Sequence, residues 1–522
     1  MTNGKTLRLG TRRSALAWIQ SSQVAAALRA AHPGLDVELV GIETRGDRVL
    51  DKPLSQIEGK EFFTAELDHA LLEKRVDFTV HSLKDLSLER PPQFVLAAVP
   101  KRANPRDLAL FAPDVPARLA AGHPLRIGTS SPRRAELLPA FLSRALPHAS
   151  RERLELVNLR GNVDSRLRRL HEPRGSERHL DGIVLAMAGL SRLHADTATE
   201  RQGRALLTAL LEGLHLMVLP LTEVPGAPGQ GALAVECRAD DAATRELLAV
   251  LDDTPTRRAV EIERQLLGEH GGGCHQRFGA AMQWVPGLGG LLQVGGRNAE
   301  GRDIAGRRFL PDEPLPELAG EVRPWDGNAV RAPARPLLDA AGLSAKLRHR
   351  AVFLAHPRAL PEGAASALAG RAVWTSGARG WFALAAQGVW VQGCGEGLGA
   401  ENLVKLVGEP LLGLPPPAEW DVLTHEEAAE PWQSGSWAGA NVIATYRVEA
   451  DAPLDSTALG TATHIYWSST AQFERGRALA SPDAHHASGP GKTAEHIRRA
   501  GVRHFRAFPS AEEWRRWTAR EH

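Results

Sequence analysis

Seven arginines in the first half of the sequence stand close to predicted strand-to-helix turns. Backbone N–H groups at helix N-termini favour anions there. An arginine guanidinium can also hold a carboxylate through two parallel hydrogen bonds. Any one of them could be an ordinary solvated arginine, but the set suits a ligand with many carboxylates or phosphates. The arginines are Arg12, Arg13, Arg133, Arg134, Arg160, Arg166 and Arg192, and nearby hydroxyl donors are Thr11, Ser14, Thr129, Ser130 and Ser131.

Two acidic residues lie in turns of the same half. Asp85 lies in "HSLKDLS", which follows the apolar strand "DFTV". Asp47 is the last residue of "ETRGD". A lone acid after a strand is usually a helix cap. In an arginine-lined cleft it would stay ionised and could stabilise a developing cation or move a proton. The loop "EGKEFF" at 58–63 is a candidate mobile cover.

Cys274 stands behind three glycines in "GGGCHQRFGA". Most lone cysteines are small buried apolar residues, and we expect this of Cys237. Glycines on the N-terminal side of Cys274 would let a bulky ligand approach, so its thiolate could act as a nucleophile or a covalent tether. Zinc is disfavoured because cysteine and histidine are adjacent, without the usual ligand spacing. We therefore expect no metal site.

The composition is that of a globular protein with three or four domains. The chain has 522 residues, 43% of them hydrophobic and 24% charged, and a net charge of +2. That charge argues against a nucleic-acid coat. Three cysteines cannot form a disulfide framework. With no apolar signal core and no membrane-length apolar run, we expect a cytoplasmic protein without membrane or nucleic-acid partners.

Strands and helices alternate along the first half, which predicts an α/β fold with mainly parallel sheets. The cycle begins at "KTLRLGT" and restarts at "LRIGTSSPRRAELL", giving two lobes with a ligand cleft between them. Helices and then short strands follow, as expected of a small α+β third domain. We expect domain 1 at 1–108 and 215–238, domain 2 at 109–214 and domain 3 at 239–320.

The C-terminal part predicts a second module. Residues 321–345 are rich in proline and polar residues and predict a linker, helical at its end. Within 346–522, "AVWTSGARGWFAL" and "IYWSSTAQFERGRAL" each begin a series of strand, serine turn, helix, strand, glycine turn and helix. This duplication predicts a two-lobed α/β module.

Eight segments occur in the order found in porphobilinogen deaminases, also called hydroxymethylbilane synthases, so that residues 5–300 resemble this family. They are "LRLGTRRSALAWIQ", "TRGD", "HSLKDLS", "IGTSSPRRAELL", "LRGNVDSRLRRL", "LAMAGLSRL", "PGQGALAVECR" and "GGGCHQRFG".

The resemblance implies a fold and a reaction. Family members have two lobes like those of periplasmic binding proteins, plus a third domain. They join four porphobilinogen units with loss of ammonia and release hydroxymethylbilane by hydrolysis, a step in heme biosynthesis. The chain grows on a dipyrromethane cofactor that is attached by a thioether to a cysteine matching Cys274. Each pyrrole carries acetate and propionate arms, which would account for the arginines. We expect a monomer.

Roles carry over residue by residue. Asp85 resembles the catalytic aspartate, which would contact pyrrole N–H groups and stabilise the cation formed as ammonia leaves. The resemblance implies cofactor contacts at Lys84, Asp47, Ser131, Arg133, Arg134 and Ser14. It implies substrate contacts at Arg12, Arg160, Arg166, Arg192, Gln20, Lys60 and Phe63.

The sequence departs from the family pattern in two places. Glu58 and Glu61 flank Lys60 where the cover loop usually has glycines, and Gln56 replaces an upstream lysine. After Cys274 the usual Gln-Val-Pro is replaced by His275, Gln276 and Arg277. The C-terminal module resembles uroporphyrinogen-III synthase, which would cyclise hydroxymethylbilane, but it is shorter and its motifs are loose.

Two alternatives remain at this stage. The C-terminal module could be an inactive structural appendage. The first half could be a two-lobed anion receptor without chemistry, although a receptor would not need a third domain bearing Cys274.

Overall fold

The computed structural model describes residues 5–44, 64–196, 201–270, 277–318, 320–327, 333–429, 432, 434–448 and 454–520. The chain divides into two compact units. Unit one comprises 1–143, 149–282 and 292–307, and unit two comprises 144–148, 283–291 and 308–522. Among the described residues, no helix combines the length and apolar character that crossing a membrane requires.

The first sheet of unit one has five strands in the order β2-β1-β3-β10-β4. β1 runs parallel to β2 and β3, whereas β10 is antiparallel to both β3 and β4. Leu7 and Leu9 of β1 are buried with Val24 and Leu28 of the following helix. The strands are β1 (Lys5–Arg12), β2 (Leu35–Ile42), β3 (Phe78–Ser82), β4 (Phe94–Ala98) and β10 (Leu233–Arg238).

The second sheet of unit one also has five strands, in the order β7-β6-β8-β5-β9. β6 is parallel to β7 and β8, and β5 is antiparallel to β8 and β9. The strands are β5 (Asp107–Phe111), β6 (Leu125–Gly128), β7 (Leu154–Val157), β8 (Gly182–Ala186) and β9 (His215–Val218).

These sheets correct two expectations. Both sheets are mixed rather than mainly parallel. β5 and β10 are the strands by which the chain enters each sheet after leaving the other one, and both run antiparallel to their neighbours. The chain returns from the second sheet to the first one later than expected, because β9 still pairs with β5 of the second sheet. Residues 215–218 therefore belong with the second sheet, not with domain 1.

Helices connect these strands, and Ser14 caps the first of them. The helices up to residue 270 are α1 (Ala15–Ala31), α2 (Ala65–Leu72), α3 (Val115–Ala120), α4 (Pro132–Ala145), α5 (Val163–Arg168), α6 (Met187–Ala195), α7 (Arg201–Leu211), α8 (Ala242–Ala249) and α9 (Thr254–Glu269). A third sheet follows, with strands in the order β11 (Arg277–Val285), β12 (Gly289–Arg297) and β13 (Gly306–Pro311).

Unit two contains a six-stranded sheet, in which β15 alone is antiparallel to its neighbour, and a four-stranded parallel sheet. The six-stranded sheet has the order β15 (Ala334–Pro336), β20 (Asn441–Val448), β19 (Trp420–His425), β16 (Ala351–Leu354), β17 (Ala372–Thr375) and β18 (Val391–Cys394). The four-stranded sheet has the order β14 (Pro324–Trp325), β21 (His464–Trp467), β22 (His485–Ser488) and β23 (Phe505–Ala507).

The segment expected to be a linker contributes to both of these sheets. β14 pairs with β21, and β15 pairs with β20. The duplicated elements follow the expected order, β17-α11-β18-α12 and β21-α14-β22-α15. The helices of unit two are α10 (Ala340–Lys346), α11 (Ala378–Ala385), α12 (Ala400–Val407), α13 (Ser456–Thr461), α14 (Thr470–Gly476), α15 (Lys492–Arg499) and α16 (Ala511–Thr518).

Candidate functional site

A pocket lies in unit one where β1 and β3 end and α1 begins. It brings together three of the predicted site residues, Arg12, Gln20 and Asp85. Gln20 is buried on α1, and its Nε2 donates to Ser82 Oγ at 3.1 Å, which fixes the amide beside the end of β3. The pocket is lined by Arg12, Ala17, Gln20, Thr64, Val80, His81, Ser82 and Asp85.

Lys84 and Asp85 lie on a single 3₁₀ turn, Leu83–Asp85, directly after β3. The Asp85 side chain is exposed and borders the pocket. Lys84 is half-buried. Burial lowers the pKa of Lys84; Arg134 and Arg133 act in the same direction, and Asp85 and Asp107 oppose it. A short turn thus presents an anion to the pocket and a cation to the start of the second lobe.

Arg133 and Arg134, at the start of α4, converge on Asp107 of β5. Arg133 Nη2 donates to Asp107 Oδ2 at 2.7 Å, and Arg134 Nη2 donates to Asp107 Oδ1 at 2.8 Å. Gln230 Nε2 donates to Asp107 Oδ1 at 2.9 Å. Burial opposes ionisation of Asp107, but the two guanidiniums outweigh it and hold the pKa of that carboxyl below its usual range. The pair predicted to bind cofactor is therefore built around a buried protein carboxylate.

Arg160 and Arg166 flank the start of α5, and the structure places cations rather than acids beside them. Burial lowers the pKa of Arg166 to about 10, with further lowering by Arg134 and Arg160. Arg166 Nε donates to Gly161 O at 2.7 Å. Arg160 Nη1 is buried without a hydrogen-bond partner among the described residues. A buried donor without a partner is costly.

Arg192 occupies a different place from the one expected. It lies in the second turn of α6, not at a strand-to-helix turn, because α6 begins directly after β8. The guanidinium is buried, and its Nη2 donates to Gly231 O at 2.8 Å. Burial lowers the pKa of Arg192 to about 10. No described carboxylate lies within ion-pair distance of it.

The two predicted serines begin helices. Ser14 Oγ accepts from Ala17 N at 3.4 Å and caps α1. Ser131 Oγ accepts from Arg134 N at 3.4 Å at the start of α4. Each serine therefore fixes the helix whose first turn carries or adjoins the cationic residues.

Four predicted residues lie outside the described part of the chain: Asp47, Lys60, Phe63 and Cys274. The ends of the segment that carries Cys274 are nonetheless described. His270 follows α9, and its ring meets the ring of Phe278 on β11 edge to face, with centroids 5.6 Å apart. The roles expected of the four residues stay predictions.

Three buried or half-buried residues that the motifs did not single out organise the site: Asp107, Glu263 and Arg264. Glu263 on α9 is fully buried and accepts from Arg102 Nη1 at 2.6 Å, Gly229 N at 2.7 Å and Met282 N at 2.7 Å. It thereby ties α9 to the "PGQG" segment and to β11. An acidic residue in the middle of an otherwise amphipathic helix was the one signal available in the sequence.

One cluster has the composition of a metal site. Asp68, His81 and Glu236 present ligand atoms close to one another. Arg90 already occupies the space between the acids, with Nη2 2.6 Å from Asp68 Oδ1 and 2.9 Å from Glu236 Oε2. Burial lowers the pKa of His81 to about 3, and Arg90 and Arg12 add to the effect. The cluster is an ion-pair network, and its His81 also lines the pocket.

The mixed α/β lobes thus carry a pocket aspartate and several cationic turns. Residues 7–246 match the family described as "Porphobilinogen deaminase, dipyromethane cofactor binding domain". The chain is 45% identical over 335 residues to the porphobilinogen deaminase of Roseiflexus sp. (strain RS-1), covering 63% of this chain and 99% of the relative. It is 44% identical over 279 residues to that of Xanthomonas campestris pv. campestris (strain B100), covering 53% and 82%. The chain belongs to the porphobilinogen deaminase family.

Solved structures of binding proteins align with part of the chain at low sequence identity. The methionine-binding protein MetQ aligns with 50% of this chain and 94% of its own, at 11% identity and a TM-score of 0.27. A likeness at that level carries no argument about function.

The residues present fit the dipyrromethane cofactor that defines the matched domain. Arg160 Nη1 has no hydrogen-bond partner among the described residues, and Arg166 has other arginines beside it. An anionic ligand would satisfy both. A ligand with several carboxylate arms supplies such partners. Lys84, Arg133, Arg134 and Ser131 lie around the start of α4, where one end of that ligand would be held.

Proposed function

We propose that residues 5–300 catalyse the hydroxymethylbilane synthase reaction, which condenses four porphobilinogen units with loss of ammonia and releases hydroxymethylbilane by hydrolysis. The observation that carries the proposal is the pocket in which exposed Asp85 stands beside Arg12 and Gln20. Arg160 and Arg166 supply unpaired positive charge elsewhere in the same unit. This combination joins one anionic group suited to a developing cation with several cationic groups suited to carboxylate arms.

Asp85 is the residue that would do chemistry in this proposal. Its carboxylate is exposed at the pocket, so substrate can reach it without rearrangement of the core. As ammonia leaves porphobilinogen, positive charge develops on the pyrrole, and a nearby carboxylate stabilises it. Arg12 at the end of β1 would hold a carboxylate arm of the same ring.

The remaining arginines would bind rather than react. Arg160, Arg166 and Arg192 carry charges that no described carboxylate neutralises, so they are suited to the arms of the growing chain. Dipyrromethane, when bound through the Cys274 thiolate, supplies the primer to which new units are added. Lys84, Ser131, Arg133 and Arg134 would orient it from the start of α4. Asp47, Lys60 and Phe63 complete the proposed contacts.

Porphobilinogen consumption and intact mass test this proposal together. The purified chain should release ammonia from porphobilinogen and carry a covalent mass increment that the Cys274→Ser variant lacks. Asp85→Ala should keep the covalent group and the melting temperature but lose almost all turnover. A two-lobed receptor without chemistry would bind porphobilinogen without ammonia release. Full turnover by Cys274→Ser would also contradict the assignment.

For the C-terminal module we propose a uroporphyrinogen-III synthase activity that cyclises the hydroxymethylbilane made by the first half. A parallel four-stranded sheet and a six-stranded sheet that is parallel except for β15, each with a repeated β-α-β-α unit, support it. The glycine turns that follow β18 and β22 approach each other closely: a Cβ on Gly399 would lie 3.0 Å from Gly491 Cα. The carboxyl ends of both sheets thus meet at one place, where α/β proteins bind their ligands.

The isomer of the product decides between this activity and an inactive appendage. With porphobilinogen as substrate, a working module should give uroporphyrinogen III. An appendage would leave hydroxymethylbilane to close spontaneously to isomer I. A chain that gives isomer I alone would refute the second activity and leave the deaminase proposal intact.

A further inference from the structure

We propose that Arg264 of α9 is a positioning residue for Asp85. The inference rests on the proposed function, since it assigns Asp85 the reacting role. Arg264 Nη1 donates to Leu83 O at 3.2 Å and to Leu86 O at 3.0 Å, and its Nη2 donates to Ser87 O at 2.7 Å. One guanidinium therefore binds three carbonyl oxygens of the turn that carries the aspartate.

Besides Arg264, the burial of Leu83 and Leu86 and two backbone hydrogen bonds hold this turn. Its internal hydrogen bond runs from Leu86 N to Leu83 O at 3.2 Å, and Leu83 N donates to Ala232 O at 3.0 Å. A single 3₁₀ turn is a weak element on its own. The three carbonyls face the same helix, so each would need another donor if the guanidinium were removed.

Arginine is suited to this task in a way that other cations are not. Its planar guanidinium offers five N–H donors in a fixed geometry. Here two of its nitrogens reach carbonyls on both sides of Asp85. Lysine could replace one or two of these bonds but not their geometry. The aspartate backbone is thus set from the helix, while its carboxylate remains exposed to the pocket.

The helix itself is firmly placed against the turn. Val260 of α9 packs in one buried cluster with Leu83 and Leu86. Adjacent Glu263 is locked by Arg102 and Gly229. Arg264 stands ten residues before Cys274. The element that leads to the proposed cofactor anchor therefore also sets the position of the proposed catalytic carboxylate.

Steady-state kinetics of the full-length chain test the proposal. Arg264→Gln should keep the covalent mass increment and lower kcat for porphobilinogen by about 10-fold to 100-fold, the loss expected for charge-assisted hydrogen bonds. KM should change by less than about threefold, because no substrate contact is removed. Arg264→Lys should recover part of the loss. Arg258→Gln, at an exposed arginine on the same helix, is the matched control.

The outcomes separate the two proposals. If the parent chain releases no ammonia, the proposed function fails, whatever Arg264 does. If the parent is active and Arg264→Gln matches it in kcat, or lowers only its melting temperature, the positioning role is overturned. A rise in KM at constant kcat overturns it as well.

Arg264→Lys decides if the glutamine variant does not fold. Reduced kcat in this folded variant supports the positioning role, and unchanged kcat overturns it. In an Asp85→Glu background the lysine change should cost less than it does alone, because both residues act through one carboxylate. Full additivity of the two changes would contradict the proposal.

Discussion

Arg134 holds the buried carboxylate of Asp107 through two nitrogens, with Nη2 2.8 Å from Oδ1 and Nε 3.1 Å from Oδ2. Arg133 adds a third bond, from its Nη2 to Oδ2 at 2.7 Å. Two arginines that sequence motifs assign to a ligand are thus also partners of a protein acid. The acid keeps two neighbouring guanidiniums in fixed positions, so their remaining N–H groups are oriented before any ligand arrives.

Replacing Asp107 by Asn should destabilise unit one strongly. The change leaves two buried guanidiniums without their counter-charge, for which a loss of about 3–5 kcal/mol is typical. Urea unfolding of the full chain measures it. Asp164→Asn, at an exposed acid on α5, is the control and should shift the midpoint little. Equal unfolding midpoints for Asp107→Asn and the parent would contradict the stabilising role of the Asp107 carboxylate.

The acid sensitivity of the same cluster follows from the lowered pKa of Asp107. A carboxyl whose folded-state pKa lies below its ordinary value contributes stability above that ordinary value and loses it as the pH falls further. The ordinary value is 3.8. The contribution should therefore be constant from neutral pH down to about pH 5 and disappear at lower pH. The Asp107→Asn variant should lack this loss.

Arg160 predicts a separation of stability from binding. Its Nη1 is buried and unpaired among the described residues, so Arg160→Gln should leave the melting temperature of the ligand-free chain unchanged or raise it. The same change should raise KM for porphobilinogen by about 10-fold or more, the effect of a lost charge-assisted hydrogen bond. Arg151→Gln, at an exposed position, is the control. A large fall in stability with unchanged KM would contradict the anion-binding role.

Sequence patterns placed most elements and most charged turns correctly. The strand predicted at "KTLRLGT" is observed as β1, and Arg12 stands at its end. Asp107 could not be identified in this way, because its partners Arg133 and Gln230 come from distant parts of the chain. Periodicity describes neighbours along an element, whereas this cluster depends on how three segments meet.

Strand direction and crossing points were less accessible to the same patterns. β5 and β10 have the apolar runs of central strands, which look alike in parallel and antiparallel sheets. Short strands were missed for another reason. β14 and β15 have two and three residues within a proline-rich segment, too few for any periodicity to show.

Replacing Glu263 should lower the free energy of unfolding as much as replacing Asp107 does, but here the destabilised element should include β11. Glutamine has one acceptor oxygen in place of the two carboxylate oxygens that accept from Arg102, Gly229 N and Met282 N. Glu263→Gln should cost about 3–5 kcal/mol, as for a broken buried ion pair. Hydrogen exchange should increase in β11 as well as in α9. Glu261→Gln, at an exposed acid on the same helix, should leave both protected.

His486 makes the four-stranded sheet of unit two sensitive to mild acid. Trp467 Nε1 donates to His486 Nδ1 at 2.9 Å, so this ring nitrogen must be unprotonated. Burial lowers the pKa of His486 to about 4, and His485 and His504 add to the effect. Burial also lowers the pKa of neighbouring His464 to about 4, with a smaller contribution from His485. His486 and His464 therefore bind a proton less readily in the folded sheet than in the unfolded chain.

The sign of the effect is set by that difference. The unfolded histidine takes up a proton near pH 6.5, so stability is complete above this value and falls as the pH drops towards 4. At pH 5 the loss should be on the order of 1–2 kcal/mol for His486. Hydrogen exchange in β21 and β22, corrected for the intrinsic rate, should therefore rise between pH 7 and pH 5. His486→Gln, which keeps an acceptor for Trp467 but does not titrate, should weaken this dependence, whereas His504→Gln at an exposed position should preserve most of it. An unchanged pH dependence in His486→Gln would show that the Trp467 contact is not the sensitive element.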